Sequence, residues 1–300
     1  MYSQIDSNKR KTILLMAIFI AVIMLVGWAF SEFTDLGYAG LTMAAIVSVV
    51  MALGGYYQGD KIALLSAGAK GPIEKTDNQY LYRLVENLTI TAGLPLPKIY
   101  IMPDNAINAF ATGRNPEHAS LAVTAGALEK LKNEELEGVL AHELSHIKNY
   151  DILLMTIVIV LVGIIALLSD WFIRINFWGG NRKSSGDNRN GGQLQAALLI
   201  VGVILLILSP IIGKLVQLAI SRKREFLADA DGALITRYPA GLANALEKIS
   251  QENATMKSSN NATAHLYIAS PFGGTKHSMS KFFSTHPPIE QRIEKLRGMA

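Results

Sequence analysis

Ala141-His142-Glu143-Leu144-Ser145-His146 decides the reading of this chain. Four residues along an α-helix turn through about 400°, so His142 and His146 leave nearly the same face, one turn apart. Two imidazoles at that spacing can hold two corners of a tetrahedral zinc site. Glu143 is rotated by about 100° from His142, which sets its carboxylate beside a metal, where it can take a proton from an attacking water. An amphipathic helix with two surface histidines and a solvated glutamate carries the same five residues. The rest of the chain has to supply a third ligand, a geometry compatible with its surroundings and a place for substrate.

Composition sets those surroundings. The chain has 300 residues, half of them hydrophobic and only 17% charged, against about 25% charged in soluble domains. That deficit points to a membrane protein. Cysteine is absent, which excludes disulfides and thiolate ligands and leaves His, Asp and Glu to hold any zinc. The net charge of +4 is small. Its basic residues sit beside apolar runs, so they read as topology signals and not as a nucleic-acid footprint.

Lys9-Arg10-Lys11 precedes an apolar run over 12–30, long enough to cross a bilayer. A cleaved signal would have an apolar core of only about 7–15 residues followed by a small-residue cleavage site, so the run reads as an uncleaved anchor. A second run covers 36–57, with Trp28, Tyr38, Tyr56 and Tyr57 near the span ends. The connecting loop holds Glu32 and Asp35 but no Lys or Arg, so the positive-inside bias puts the N-terminus, and the chain after residue 57, in the cytoplasm. Two further apolar runs, 152–168 and 194–220, flank a glycine-rich polar loop. They could be core helices of a soluble domain, but their length and lack of internal charges favour a hairpin that either crosses the membrane or dips into it.

Between these runs lies a polar segment with mixed periodicity. Thr76 or Asp77 is the expected cap of a helix that ends at Gly93 and Pro95. Residues 98–102 read as a strand. Asn108-Ala109-Phe110-Ala111-Thr112-Gly113 and Ser120-Leu121-Ala122-Val123-Thr124 read as two hairpin-connected strands. Asn133 is the expected cap of the helix that carries His142 and His146. The first of the paired strands either lines an extended substrate as an edge strand or merely closes a sheet.

Past the hairpin comes Arg222-Lys223-Arg224-Glu225-Phe226-Leu227-Ala228-Asp229. Glu225 and Asp229 share a helical face. Glu225 can complete a His₂Glu site while Asp229 bonds the outer nitrogen of a ligand imidazole. An acidic pair balancing three basic neighbours on a solvated helix fits the same residues. The pairing of His142-Glu143-Leu144-Ser145-His146 with Arg224-Glu225-Phe226-Leu227-Ala228-Asp229, in a chain with two N-terminal spans and a hydrophobic hairpin, resembles the HtpX family of bacterial membrane zinc endopeptidases. That family is related to CAAX prenyl endopeptidases and to soluble gluzincins.

The resemblance implies one Zn²⁺ on His142, His146 and Glu225, with Glu143 as catalytic acid/base. It implies quality-control proteolysis of membrane or misfolded polypeptides from the bacterial inner membrane. Related proteases carry a His-Pro stretch before a C-terminal helix, as at Ser284-Thr285-His286-Pro287-Pro288-Ile289-Glu290-Gln291-Arg292. His286 and Arg292 are therefore candidate oxyanion donors, beside the simpler roles of a cap and a surface arginine. The expected architecture is mainly α, of the α+β class: a membrane-anchored gluzincin-type catalytic domain with a small edge-stranded sheet and about four transmembrane helices. Its expected divisions are spans over 1–57, catalytic parts over 58–150 and 221–300, and the hairpin over 151–220. A CAAX-type prenyl endopeptidase and a non-enzymatic scaffold with structural zinc are the competing readings. Four spans are few for the former's enclosed chamber, and three protein ligands leave open the fourth position that structural zinc fills.

Overall fold

Apolar length decides the first two elements. In the computed structural model, which describes residues 2–33, 37–178, 202, 221–252, 255–256, 266–268 and 287–299, α1 spans Tyr2–Phe33 and α2 spans Gly37–Ser66. Both are long and apolar enough to cross a membrane, with mean hydropathy of 2.8 and 1.8 in their most apolar stretches. Helix α2 runs nine residues past the expected end of its apolar run. Ala63 and Leu64, in its last turn, are buried with Met102, Phe110 and Ala122 of the sheet, so one continuous helix joins the apolar segment to the sheet.

The sheet has three strands, β1 (Lys98–Met102), β2 (Ala109–Gly113) and β3 (Ala119–Thr124), in the order β1-β3-β2. Strand β1 runs parallel to β3, and β2 runs antiparallel to it with Ala111 opposite Leu121. The expected hairpin is thus present, turned by a short 3₁₀ segment at Pro116–His118, and it leaves β2 at the sheet's edge.

Around the sheet stand α3 (Gln79–Ala92), the short α4 (Ala125–Lys130), α5 (Asn133–Lys148), α7 (Arg222–Thr236), α8 (Pro239–Gln251) and α9 (Ile289–Arg297). Two expected caps shift by a residue or two. The side chain of Asn78, not Thr76 or Asp77, accepts from the Leu81 N–H and caps α3. At α5 the cap position is Lys132, whose N–H donates to the Glu135 carboxylate at 2.7 Å. Asn133 becomes the first helical residue and bonds Glu137. Helices α7 and α8 are separate because Arg237 turns left-handed (φ 53°) and Pro239 restricts the residue before it.

Helix α6 (Asp151–Trp178) leaves α5 through an 83° corner at which Tyr150 takes a left-handed φ of 58°. Its first turns are buried: Leu153, Leu154, Ile157 and Val158 pack against Leu15, Phe19 and Ile23 of α1 and Ala52 of α2. By length and composition α6 passes as a span only when joined to α5 as one bent element. The fourth apolar run and the glycine-rich loop before it, apart from residue 202, lie outside the described residues.

Helix α5 is the centre of the catalytic portion, buried from Leu136 to Ile147 except at Glu137 and touched by β2, α3, α7 and α8. Small residues allow that crowding. A Cβ on Gly138 would stand 2.6 Å from the Leu242 nitrogen of α8, and one on Gly232 of α7 would stand 3.1 Å from the His142 nitrogen. Gly138→Val should therefore destabilise the fold by about 1–3 kcal/mol through overpacking. The check is thermal unfolding of the detergent-solubilised protein, and an unchanged midpoint would mean that α5 and α8 do not meet at this contact.

Candidate metal centre

Helix α5 turns His142, Glu143 and His146 inward, and α7 brings Glu225 and Asp229 to meet them. All five are at most 5% exposed. The His142 and His146 Nε2 atoms stand 3.2 Å apart. Glu225 completes a triangle, with Oε2 3.8 Å from His142 Nε2 and Oε1 3.7 Å from His146 Nε2. A tetrahedral ion with bonds of about 2.0–2.1 Å separates its ligand atoms by about 3.3–3.4 Å. One nitrogen from each imidazole and one carboxylate oxygen, converging in a buried space, therefore fit a metal ion.

The outer nitrogens explain that convergence. His142 Nδ1 meets Asp229 Oδ1 at 3.0 Å, and His146 Nδ1 meets Asp151 Oδ2 at 3.0 Å. Each carboxylate fixes a ring's orientation and turns Nε2 towards the centre. Asp229 is in turn gripped by Arg292 of α9, with Nε 2.9 Å from Oδ2 and Nη2 2.7 Å from Oδ1. The guanidinium also donates to the Ile268 carbonyl at 3.3 Å and lies 3.8 Å from Glu225.

Burial dominates the electrostatics. It lowers His142 to about 4, against the opposing hydrogen bond to Asp229, so this imidazole is neutral at physiological pH. It acts against charge on His146 too, but there the Asp151 hydrogen bond and the Glu225 charge outweigh it and raise the group to about 9. A cation bound at His146 displaces that proton. Burial pushes Glu143 up to about 8, against the opposing charge of His146. At Asp229 the Arg292 charge overcomes burial and holds the carboxyl well below its usual range.

Strand β2 closes one side of the site. The Ala111 N–H donates to Glu143 Oε2 at 2.9 Å, the Gly113 N–H donates to Thr156 Oγ1 at 3.1 Å, and Ala109 O accepts from the Ile268 N–H at 3.3 Å. Phe110 packs edge-on against Tyr267, and Thr112 pairs with Thr156 through their hydroxyls at 2.7 Å. Asn108 lies just before the strand, its N–H donating to Thr124 Oγ1 at 3.0 Å. Of the candidate site residues read from the sequence, His286 lies outside the described residues. Asp151 and Thr156 were missed. Asp151 is five residues from His146 and off its helical face, and nothing in the sequence announces the left-handed Tyr150 that brings it back.

A family model described as peptidase family M48 matches residues 75–300. The chain belongs to peptidase family M48. Among its M48 relatives, a protein named "Protease HtpX homolog" from Caldanaerobacter subterraneus is 44% identical over 300 residues, covering all of this chain and 98% of that protein. Another of the same name, from Lactobacillus helveticus, is 41% identical over 301 residues and is matched over its full length. The crystal structure of S. mikatae Ste24p aligns with 99% of this chain and 67% of that one, at a TM-score of 0.52 and 20% identity, a likeness of fold. This M48 peptidase is thus a membrane metalloendopeptidase of the HtpX type, and neither the prenyl-endopeptidase nor the scaffold reading is favoured.

Removing Asp229 tests the buried layer of the M48 site. Asp229→Ala takes from Arg292 its nearest carboxylate in the interior and frees the His142 ring. Stability should fall by about 3–5 kcal/mol and metal affinity by about 10–100-fold. Denaturant unfolding and chelator competition measure the two separately. Wild-type values in both would remove Asp229 from the site.

Proposed function

We propose that this chain is a zinc endopeptidase of the bacterial inner membrane that cuts membrane-protein and misfolded polypeptide substrates on the cytoplasmic side, in protein quality control. The observation that carries this reading is the buried triangle of His142, His146 and Glu225 with the Glu143 carboxylate tied to the edge of β2. Nitrogen and oxygen donors without thiolate, three in number, suit catalytic zinc. Zinc, when bound, supplies the Lewis acid that polarises the scissile carbonyl and brings the attacking water's pKa down towards about 7.

The chain's own groups do the rest. Glu143 takes the proton of the attacking water at its carboxylate and returns it to the leaving amine. Strand β2, over Ala109–Gly113, would line an extended substrate segment by exchanging the bonds that its outer edge makes to Glu143, Thr156 and Ile268. Arg292 is one candidate for steadying the developing oxyanion: Nη2 lies 3.4 Å from His142 Nε2, though three donor contacts already go to Asp229 and Ile268. His286, two residues before the Pro288 cap of α9, is the other.

Two substitutions separate base from ligand. Glu143→Gln should lower turnover by at least about 10²-fold with the metal content intact. Glu225→Ala should lower the metal content and activity together. Full proteolysis by Glu143→Gln, or full metal in Glu225→Ala, would sink the corresponding role.

Sidedness follows from the three basic residues at 9–11 against the acidic loop at Glu32. Reporters fused after residue 66 and at the C-terminus should read as cytoplasmic, and one near Glu32 as external. A reporter placing the 67–148 segment outside would overturn the orientation.

A further inference from the structure

Asn8 is an amide near the start of α1, and it is 2% exposed. Its Nδ2 donates to Asp151 Oδ1 at 2.7 Å and to the Asn149 carbonyl at 3.0 Å. Its Oδ1 accepts from Arg224 Nη1 at 3.0 Å, and the same guanidinium nitrogen is 3.3 Å from Asp151 Oδ1. The orientation of the amide is fixed by this chemistry, since its nitrogen faces two acceptors and its oxygen faces a cation. Lys9, the next residue, holds its ammonium 4.6 Å above the ring of Tyr150. Asn8 and Lys9 therefore grip all three residues of the corner between α5 and α6.

That corner is not remote from the chemistry. The other oxygen of Asp151 is the partner of His146 Nδ1. Arg224 immediately precedes Glu225. One side chain of the first membrane helix thus touches the carboxylate behind one ligand and the arginine beside another. Nothing in the catalytic portion's own sequence calls for a residue from α1. Yet this amide bonds both members of the Asp151–Arg224 pair.

We infer that Asn8 is a positioning residue of the metal centre: through Asp151 and Arg224 it fixes the orientation of the His146 ring and the placement of the Glu225 helix. The inference rests on the reading that His142, His146 and Glu225 hold the ion. On it, the start of α1 is part of the active site as well as a membrane anchor. Losing Asn8 leaves Asp151 free to turn, and the imidazole with it, so affinity for the ion drops although no ligand has been removed.

The experiment uses the full-length protein in detergent, stripped of metal and titrated with Co²⁺ and Zn²⁺ against a chelator. Wild type and Glu225→Ala establish whether uptake depends on the three ligands. Asp151→Ala should bind about 10–100-fold more weakly, and Asn8→Ala about 10-fold more weakly with an altered visible Co²⁺ spectrum. Because Asn8 acts through Asp151, the double variant should bind close to Asp151→Ala alone and not at the product of the two losses. Leu15→Ala loosens the packing of α1 without touching these bonds, so it should lower the melting temperature and leave affinity and spectrum unchanged.

If Asn8→Ala does not fold, Asn8→Ser stands in with the same expected direction. Unchanged Co²⁺ affinity and spectrum in the Asn8 variant, or independent losses in the double variant, would overturn the inference while leaving the ligand assignment intact. A wild type whose metal uptake ignores Glu225→Ala would overturn the ligand assignment and this inference with it.

Discussion

Behind each imidazole of the candidate metal triangle stands a carboxylate, and behind each carboxylate stands an arginine. His142, Asp229 and Arg292 form one such series, and His146, Asp151 and Arg224 form the other. A buried carboxylate without a counter-charge is costly, and a buried imidazole without an outer partner can rotate away from a metal. Both costs are met only if α7, α9 and α6 converge on the back of α5. The placement of segments far apart in sequence follows from this requirement for paired charge in a dry interior.

Close backbone approach is the second condition. Glu225 reaches the centre because α7 lies almost in contact with α5, and Gly232, two turns on, is where a side chain would meet the backbone of His142. Gly55 and Gly59 do the same between α2 and α6, where a Cβ would fall 2.7 and 2.6 Å from Val160 and Thr156. The hydroxyl of Thr156 then reaches the Gly113 N–H, so the packing of two apolar helices is transmitted to the edge of β2. Anchor and catalytic portion are mechanically one body.

Much of this is legible in the sequence, for reasons of periodicity. Ligands four residues apart on one helix, a carboxylate pair four apart on another, and alternating short strands are all local patterns. Their chemistry does not depend on the rest of the fold. What the sequence hides is set by single backbone torsions and by long-range pairing. Asp151 lies outside the helical period of His146 and returns only through the left-handed Tyr150. Asn8 sits in what reads as the polar flank of an anchor, and its partners are more than 140 residues away. The split between α7 and α8 turns on Arg237, a residue type that carries no signal for a positive φ.

The 83° corner after α5 converts one direction into another. The helix bearing both histidines stands nearly perpendicular to α6, and only Asn149 and Tyr150 separate the two. The distance from the metal triangle to the buried first turns of α6 is thus dictated by one bend in the chain.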